Sequence, residues 1–269
     1  MRAFCLFGPC DEVCDEVCAV TAILRIDGKC RLTVGCCDDA GKWAQDVKAT
    51  GFESESALVE AIMACAARAR RREYCAELEV DAGVGVADVV LAKRSPRSTK
   101  ALLAAAFVPP RLAVLLKHGV GDSIKSRAEL AAFLGTSEGA AQRVIAQLSA
   151  AGIAMHSKDL LTISGVRTPP FERLIAIEAK KSDWQRVLVQ AYRNLQFADE
   201  SWVVLDHAFA RPAIAHLDRF RVAGVGLASV ERGTGLFIHH AADTQGPMSP
   251  AKHWQAQAVL SSRVLSRKK

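Results

Sequence analysis

Arg173-Leu174-Ile175-Ala176-Ile177-Glu178-Ala179-Lys180-Lys181 is the stretch on which the fold of this chain turns. Its apolar run reads as a buried strand, and the strand ends in Glu-Ala-Lys. Side chains two apart in a strand share a face, so Glu178 and Lys180 project together while Ile177 and Ala179 point the other way. A carboxylate and an ammonium at the end of a buried strand are costly unless they are paired, hydrated or metal-bound. That cost makes the pair a candidate functional site. Glu-x-Lys by itself carries little weight, because as an exposed ion pair it contributes only about 0–1 kcal/mol. The flanking sequence decides.

Downstream, residues 183–197 read as a helix with Trp184, Val187, Leu188, Ala191 and Leu195 as its apolar stripe. Trp202-Val203-Val204-Leu205 centres a short strand over 201–205. Residues 212–220 have helical character, and 225–230 and 236–239 read as further strands. Residues 241–269 are polar and end in Arg267-Lys268-Lys269, which reads as a frayed tail. Upstream of the break at Arg167-Thr168-Pro169-Pro170 lies a separate unit, bounded on its other side by the basic run Lys93-Arg94-Ser95-Pro96-Arg97-Ser98-Thr99-Lys100. Before that run come two strands, over 74–80 and 84–92, the second carrying Asp88 as a lone acid. A helix over 54–73 precedes them, with Leu58, Ile62, Cys65 and Ala69 at three- and four-residue steps. Arg68, Arg70, Arg71 and Arg72 sit at its C-terminal end, where the helix dipole favours cations. Residues 20–36 have the pattern of a hairpin around Asp27-Gly28.

The unit between the breaks starts with helical sequence over 111–117. Ser126 and Glu129 then form a capping-box pattern that opens a helix to Phe133 or Leu134. Gly135-Thr136-Ser137 is a turn, and 137–150 a longer helix with Ala141, Val144, Ile145 and Leu148 on one face, ended by Gly152. Residues 153–163 read as a hairpin around Ser157-Lys158-Asp159. Three helices and a hairpin in this order resemble a winged helix-turn-helix module, which implies DNA binding through the 137–150 helix. Its free face offers Ser137, Glu138, Gln142, Arg143 and Gln147. Gln142 and Arg143 are the candidate DNA contacts there, with Lys93, Arg94, Arg97 and Lys100 as candidate phosphate contacts. Only Arg143 on that face is basic and Glu138 repels phosphate, so a packing or dimerisation module remains open.

The bulk composition is that of an ordinary globular protein. Of 269 residues, 50% are hydrophobic and 24% charged, enough for one large domain or two small ones. The net charge of +6 suits a nucleic-acid partner without demanding one. No apolar run reaches the roughly 20 residues that span a bilayer, and Asp11, Glu12, Asp15 and Glu16 interrupt any secretory signal. A cytoplasmic protein with reduced thiols and no membrane partner is expected. All nine cysteines lie between Cys5 and Cys75. Cys10, Cys14 and Cys18 would stack on one helix face, and a zinc or iron–sulfur site is one reading of them. No Cys-x-x-Cys pair supports it, and small buried thiols are the plainer reading. No Walker-type loop and no Ser/His/Asp arrangement is present, which argues against an ATPase or a triad hydrolase.

With 94–168 set aside as an insert, the order is helix, strand, strand, strand, helix, strand. Asp88 lies on the second strand, and Glu178 and Lys180 on the third. This order and these residues resemble the PD-(D/E)XK nuclease superfamily over residues 54–92 and 171–206. The resemblance implies an α/β, restriction-endonuclease-like fold, a mixed sheet flanked by helices, here with an inserted winged-helix domain. The implied divisions are 1–93 (the hairpin and the first part of the core), 94–168 (the insert), 169–240 (the rest of the core) and 241–269 (the tail). It implies Asp88 and Glu178 as ligands of Mg²⁺ or Mn²⁺, and Lys180 as the group that stabilises developing charge. Gln190 is a further catalytic candidate: RecB-like members carry Gln-x-x-x-Tyr on the following helix. Here the stretch is Gln190-Ala191-Tyr192-Arg193-Asn194, with tyrosine two residues on rather than four. Glu60 is the candidate auxiliary metal ligand on the first helix, with Glu73 as its competitor. The sequence departs from the family in having Ala87, not proline, before Asp88, and in the long gap from Asp88 to Glu178 that the insert would fill. The expected function is metal-dependent hydrolysis of DNA by an endonuclease, and a homodimer is compatible with it. Two rivals stand beside it: a catalytically inactive nuclease-fold regulator that binds DNA, and a non-enzymatic interaction protein whose N-terminal cysteines hold metal.

Overall fold

The structure is a computed structural model that describes residues 51–68, 74–95, 112, 124–150, 152–157, 160–163, 169–233 and 235–267. The hairpin expected over 20–36, the cysteines from Cys5 to Cys37, and Glu73, Arg97 and Lys100 lie outside the described residues.

The chain begins with α1 (Glu55–Arg68), β1 (Tyr74–Asp81) and β2 (Val86–Arg94). Next come α2 (Arg127–Leu134), α3 (Glu138–Ala150), β3 (Ala154–Ser157) and β4 (Leu160–Ile163). The sheet resumes with β5 (Phe171–Lys180), α4 (Trp184–Asn194) and β6 (Glu200–Asp206). After a 3₁₀ turn, His207–Phe209, follow α5 (Arg211–Ile214), α6 (Leu217–Ala223), β7 (Gly226–Glu231), β8 (Gly235–His240) and α7 (Pro250–Ser266).

Six strands form one mixed sheet in the order β1-β2-β5-β6-β7-β8. β1, β2 and β5 run antiparallel in turn, β5, β6 and β7 are parallel, and β8 returns antiparallel at the edge. The parallel steps need crossovers, which α4 and the α5–α6 pair supply. β6, between two parallel neighbours and covered on both faces, is buried along its whole length. Leu58, Ile62 and Ala66 of α1 pack over Ile175, Ile177, Ala179, Trp202, Val204 and Val230 on one face. On the other, Val187 and Ala191 of α4 cover Val203, Leu205 and Leu227, while Ala256, Leu260 and Val264 of α7 cover Val90, Ala92, Leu174 and Ala176. Ile177 and Ala179 therefore face α1, as the strand periodicity requires. Trp202 pairs with Gly226, and its ring lies where a Cβ at position 226 would have to be, so only glycine fits there.

Between β2 and β5, the capping box of α2 forms with a shift. Ser126 Oγ accepts the Glu129 N–H at 3.2 Å, but Glu129 Oε2 reaches back to the Lys125 N–H at 2.6 Å rather than to the cap residue itself. Gly135 ends α2 in the left-handed conformation at φ 59°. β3 and β4 form a two-stranded antiparallel hairpin.

Three expectations are corrected. Residues 250–266 are not a frayed tail but the 17-residue helix α7, capped by the Ser249 side chain and started by Pro250. Trp254 and Ala258 of α7 join the core of the helix–hairpin unit, with Leu130, Ile145, Leu148 and Leu161. Lys93 and Arg94 do not begin a linker; they complete β2, pairing with Arg173 and Phe171. The helix expected over 212–220 is two short helices, α5 and α6, broken at Ala215-His216.

Candidate active site

Strand register builds the site. Val89 pairs with Ile177, so the next residue outward, Asp88, lies across from Glu178, and paired residues share a face. Both carboxyls project to the α4 side. Asp88 Oδ2 accepts the Ala179 N–H at 2.8 Å, which ties it to the neighbouring strand. Glu178 is 3% exposed, and its Oε1 accepts a hydrogen bond from Asn194 Nδ2 at 2.7 Å.

Burial is the main force on Glu178. It raises the carboxyl from its ordinary 4.5 to about 7; Asp88 pushes the same way, through charge and a carboxyl–carboxyl hydrogen bond, against the Asn194 amide and Lys180.

Lys180 ends β5 and bends round the sheet to Glu55 Oε2, at 2.5 Å. Two contacts hold the start of α1 there. Asp206, buried at the end of β6, accepts the Phe52 N–H at 2.6 Å, and Lys181 donates to the Glu53 carbonyl at 3.3 Å. Glu55 thus stands at the carboxyl ends of β5 and β6.

The structure brings Asp88, Glu178 and Lys180 together. Gln190 sits one turn before Asn194 on α4, and its Oε1 is buried with no hydrogen-bond partner. An orphaned buried carbonyl oxygen one helical turn from the Asn194–Glu178 hydrogen bond is an unused acceptor. Glu60 is exposed, and five residues place it about 140° around α1 from Glu55. The acid of α1 that meets the site is Glu55, which the sequence reading passed over. Its signal was faint: an acid in the first turn, after Ser54, whose Oγ caps the Ala57 N–H at 3.1 Å. Asn194 was passed over as well, although it stands four residues after Gln190.

The candidate DNA contacts are elsewhere. Gln142 and Arg143 are exposed on α3. Glu138 is bridged by Arg127 at 2.7 Å, which offsets its repulsion of phosphate. Lys93 pairs with Glu172 at 3.3 Å, and Arg94 has a buried Nε without a partner. Six residues along β2 put Arg94 about 20 Å from Asp88, at the opposite end of the strand.

Among the described residues, no group of three His, Cys, Asp or Glu is arranged to hold a metal ion. Asp88, Glu178 and the Gln190 amide offer hard oxygens only. Such a set suits Mg²⁺, which binds through one or two carboxylates and keeps several waters, and does not suit zinc. Burial and the facing Asp88 oppose a negative charge on Glu178, and a cation held between the two carboxyls would relieve both, so the residues fit the ion.

Fold and site define an α/β protein whose six-stranded mixed sheet is flanked by helices, with a carboxylate pair and a lysine at the ends of its central strands. Comparison with protein-family models, curated proteins and solved structures gives no match to the chain. No helix among the described residues is long and apolar enough to cross a membrane.

Proposed function

We propose that this protein is a metal-dependent nuclease of the PD-(D/E)XK type that hydrolyses phosphodiester bonds of DNA. One observation carries the reading: Asp88 and Glu178 face each other across β2 and β5, with Lys180 two residues on, beneath a helix that adds Gln190 and Asn194. The strand order β1-β2-β5-β6, antiparallel twice and then parallel, supports it. Asp88 and Glu178 would hold Mg²⁺ or Mn²⁺, with the Gln190 amide oxygen as a further acceptor for the ion or its water. When bound, the ion supplies Lewis acidity toward a phosphate oxygen and lowers the pKa of a water. Lys180, released from Glu55 by the incoming phosphate, places its ammonium where negative charge grows on that phosphate. Asn194 orients the Glu178 carboxylate and favours its ionised form.

The helix–hairpin unit α2–α3–β3–β4 would act as a winged helix, with Gln142 and Arg143 on the exposed face of α3 meeting the duplex. A second reading, a DNA-binding regulator with a silent site, draws on Lys180 being engaged by Glu55. The test is cleavage of plasmid, single-stranded and branched DNA with Mg²⁺ or Mn²⁺, beside Asp88→Ala and Lys180→Ala. Metal-dependent cleavage lost in both variants supports the nuclease. DNA binding by all three proteins without cleavage supports the regulator.

A further inference from the structure

A second polar cluster lies in the sheet beyond the acid–lysine site. Ser229 of β7 is fully buried, and its Oγ is 2.8 Å from His207 Nδ1 and 2.8 Å from His239 Nε2. A hydroxyl carries one proton, so it donates to one neutral imidazole and accepts from the other, fixing the orientation of both rings. Burial and the neighbouring His207 push His239 down to about 4, so it stays uncharged at neutral pH. The His207 ring lies 4.6 Å from that of Phe237, tilted by 31°, and 6.4 Å from that of His239, at 20°. All three rings remain partly open to solvent.

Register ties this cluster to the site. Lys180 pairs with Leu205, Leu205 with Ser229, and Ser229 with Phe237, one row across four strands. Residues in such a row share a face, so the rings rise on the side of the sheet that carries Glu178 and Lys180. Two strand spacings put Ser229 about 10 Å from Lys180, close to three stacked base steps of about 3.4 Å. His207 opens the turn directly after β6, at the carboxyl ends of the parallel strands. Packing alone would account for a buried serine bonded to two histidines. It does not account for three ring systems gathered with His207 4.6 and 6.4 Å from the other two, two of them held by one serine, and all partly open beside the candidate site.

We propose that His207, Phe237 and His239 form a stacking platform for a base of single-stranded DNA whose backbone passes the Glu178–Lys180 site. This rests on the nuclease reading and names its substrate class. Aromatic and imidazole rings stack on any base, which is how sequence-tolerant single-strand sites work. A blunt duplex keeps its bases stacked inside and offers none to the platform. The substrate is therefore a single strand, or a duplex with a frayed or overhanging end.

The experiment is fluorescence anisotropy of the full chain with Ca²⁺, against a fluorescein-labelled oligo-dT and a blunt duplex, with cleavage measured in parallel with Mg²⁺ or Mn²⁺. The proteins are wild type, His207→Ala, His207→Phe and Phe237→Ala, each checked by thermal unfolding. Wild type should prefer the single strand. His207→Ala and Phe237→Ala should weaken single-strand binding about tenfold, the scale of one lost base stack, with duplex binding unchanged. His207→Phe keeps a ring without the bond to Ser229 and should hold within about twofold. If it does not fold, Phe237→Ala on the edge strand carries the test. Unchanged single-strand affinity in His207→Ala and Phe237→Ala, with cleavage intact, overturns the platform and leaves the nuclease. The expected binding losses without cleavage in any protein keep the platform and remove the nuclease. A wild type that does not bind the single strand overturns the platform whatever it cuts.

Discussion

Glu178 spends folding stability on its position. With its carboxyl raised to about 7 in the fold against 4.5 when free, the folded state holds a proton that the unfolded state has released. Stability without metal therefore falls as pH rises from about 4.5 to 7 and levels off above. His239 has the opposite sign. Lowered from 6.5 to about 4, it stays neutral in the fold while the unfolded chain takes up a proton, so stability rises with pH through that window. The two slopes oppose each other in the wild type. Glu178→Gln keeps an acceptor for Asn194 and faces Asp88 with an uncharged amide that can donate to it. At pH 8 without metal it should be more stable than wild type by on the order of 1–2 kcal/mol, a stability–function trade-off. On the nuclease reading it should also lose Mg²⁺-dependent cleavage, and on either reading its Tm should now rise plainly between pH 4 and 6.5. A Tm profile in Glu178→Gln as flat as the wild type's would refute the opposing-slope account. Asp88, Glu178 and Lys180 were legible because a strand has period two and buried charge is costly. Ser229 was not, since a serine in an apolar strand carries no signal until two histidines from other elements reach it.

At the scale of elements, the site depends on which turn of a helix meets which strand. Asn194 at the end of α4 opposes the upward push of burial on Glu178. Asn194→Ala removes that hydrogen bond, so the carboxyl moves further up and the ion must displace its proton at higher pH. On the nuclease reading, the acid limb of the pH–rate profile shifts alkaline by roughly one unit, with the plateau rate less affected. An unshifted limb would remove Asn194 from the positioning role. A second element-level contact is the clasp of α7 on β5. Gln257 Oε1 accepts the Phe171 N–H and its Nε2 donates to the Phe171 carbonyl, both at 2.9 Å and both buried. Gln257→Leu strands both backbone groups and should cost about 2–4 kcal/mol in urea unfolding. A loss below about 0.5 kcal/mol, the range of ordinary surface substitutions, would mean that water replaces the clasp. Sequence pattern located α4 and its apolar stripe but not the register of α4 against β5, which is why Asn194 and Glu55 were passed over. α7 was missed for another reason. Trp254 and Ala258 meet one core while Ala256, Leu260 and Val264 meet another, so its apolar residues circle the helix rather than forming one stripe.

That two-sided helix organises the whole molecule. The helix–hairpin unit and the sheet have separate hydrophobic cores, and α7 contributes side chains to both. The sequence showed the unit as an insert between two breaks, but its docking was not legible, because the helix that docks it lies about 90 residues further along among polar residues. A shared helix couples the melting of the two cores, so wild-type protein should unfold in one calorimetric transition. Trp254→Ala removes the ring from the unit's core and should cost about 3–5 kcal/mol there, while Ala256, Leu260 and Val264 still hold α7 on the sheet. The expected result is two transitions, the earlier one accompanied by protease sensitivity within residues 124–163 and the later one near the wild-type temperature. If the unit also carries DNA, as Gln142 and Arg143 on α3 would allow, its loosening releases the fixed spacing between that contact and Asp88. On the nuclease reading, cleavage by Trp254→Ala should then spread over several neighbouring bonds, while wild-type cuts should fall within a narrower window. A single, merely lowered transition with unchanged cut positions would show that the unit is held by contacts other than α7, and the fixed-spacing argument would fall with it.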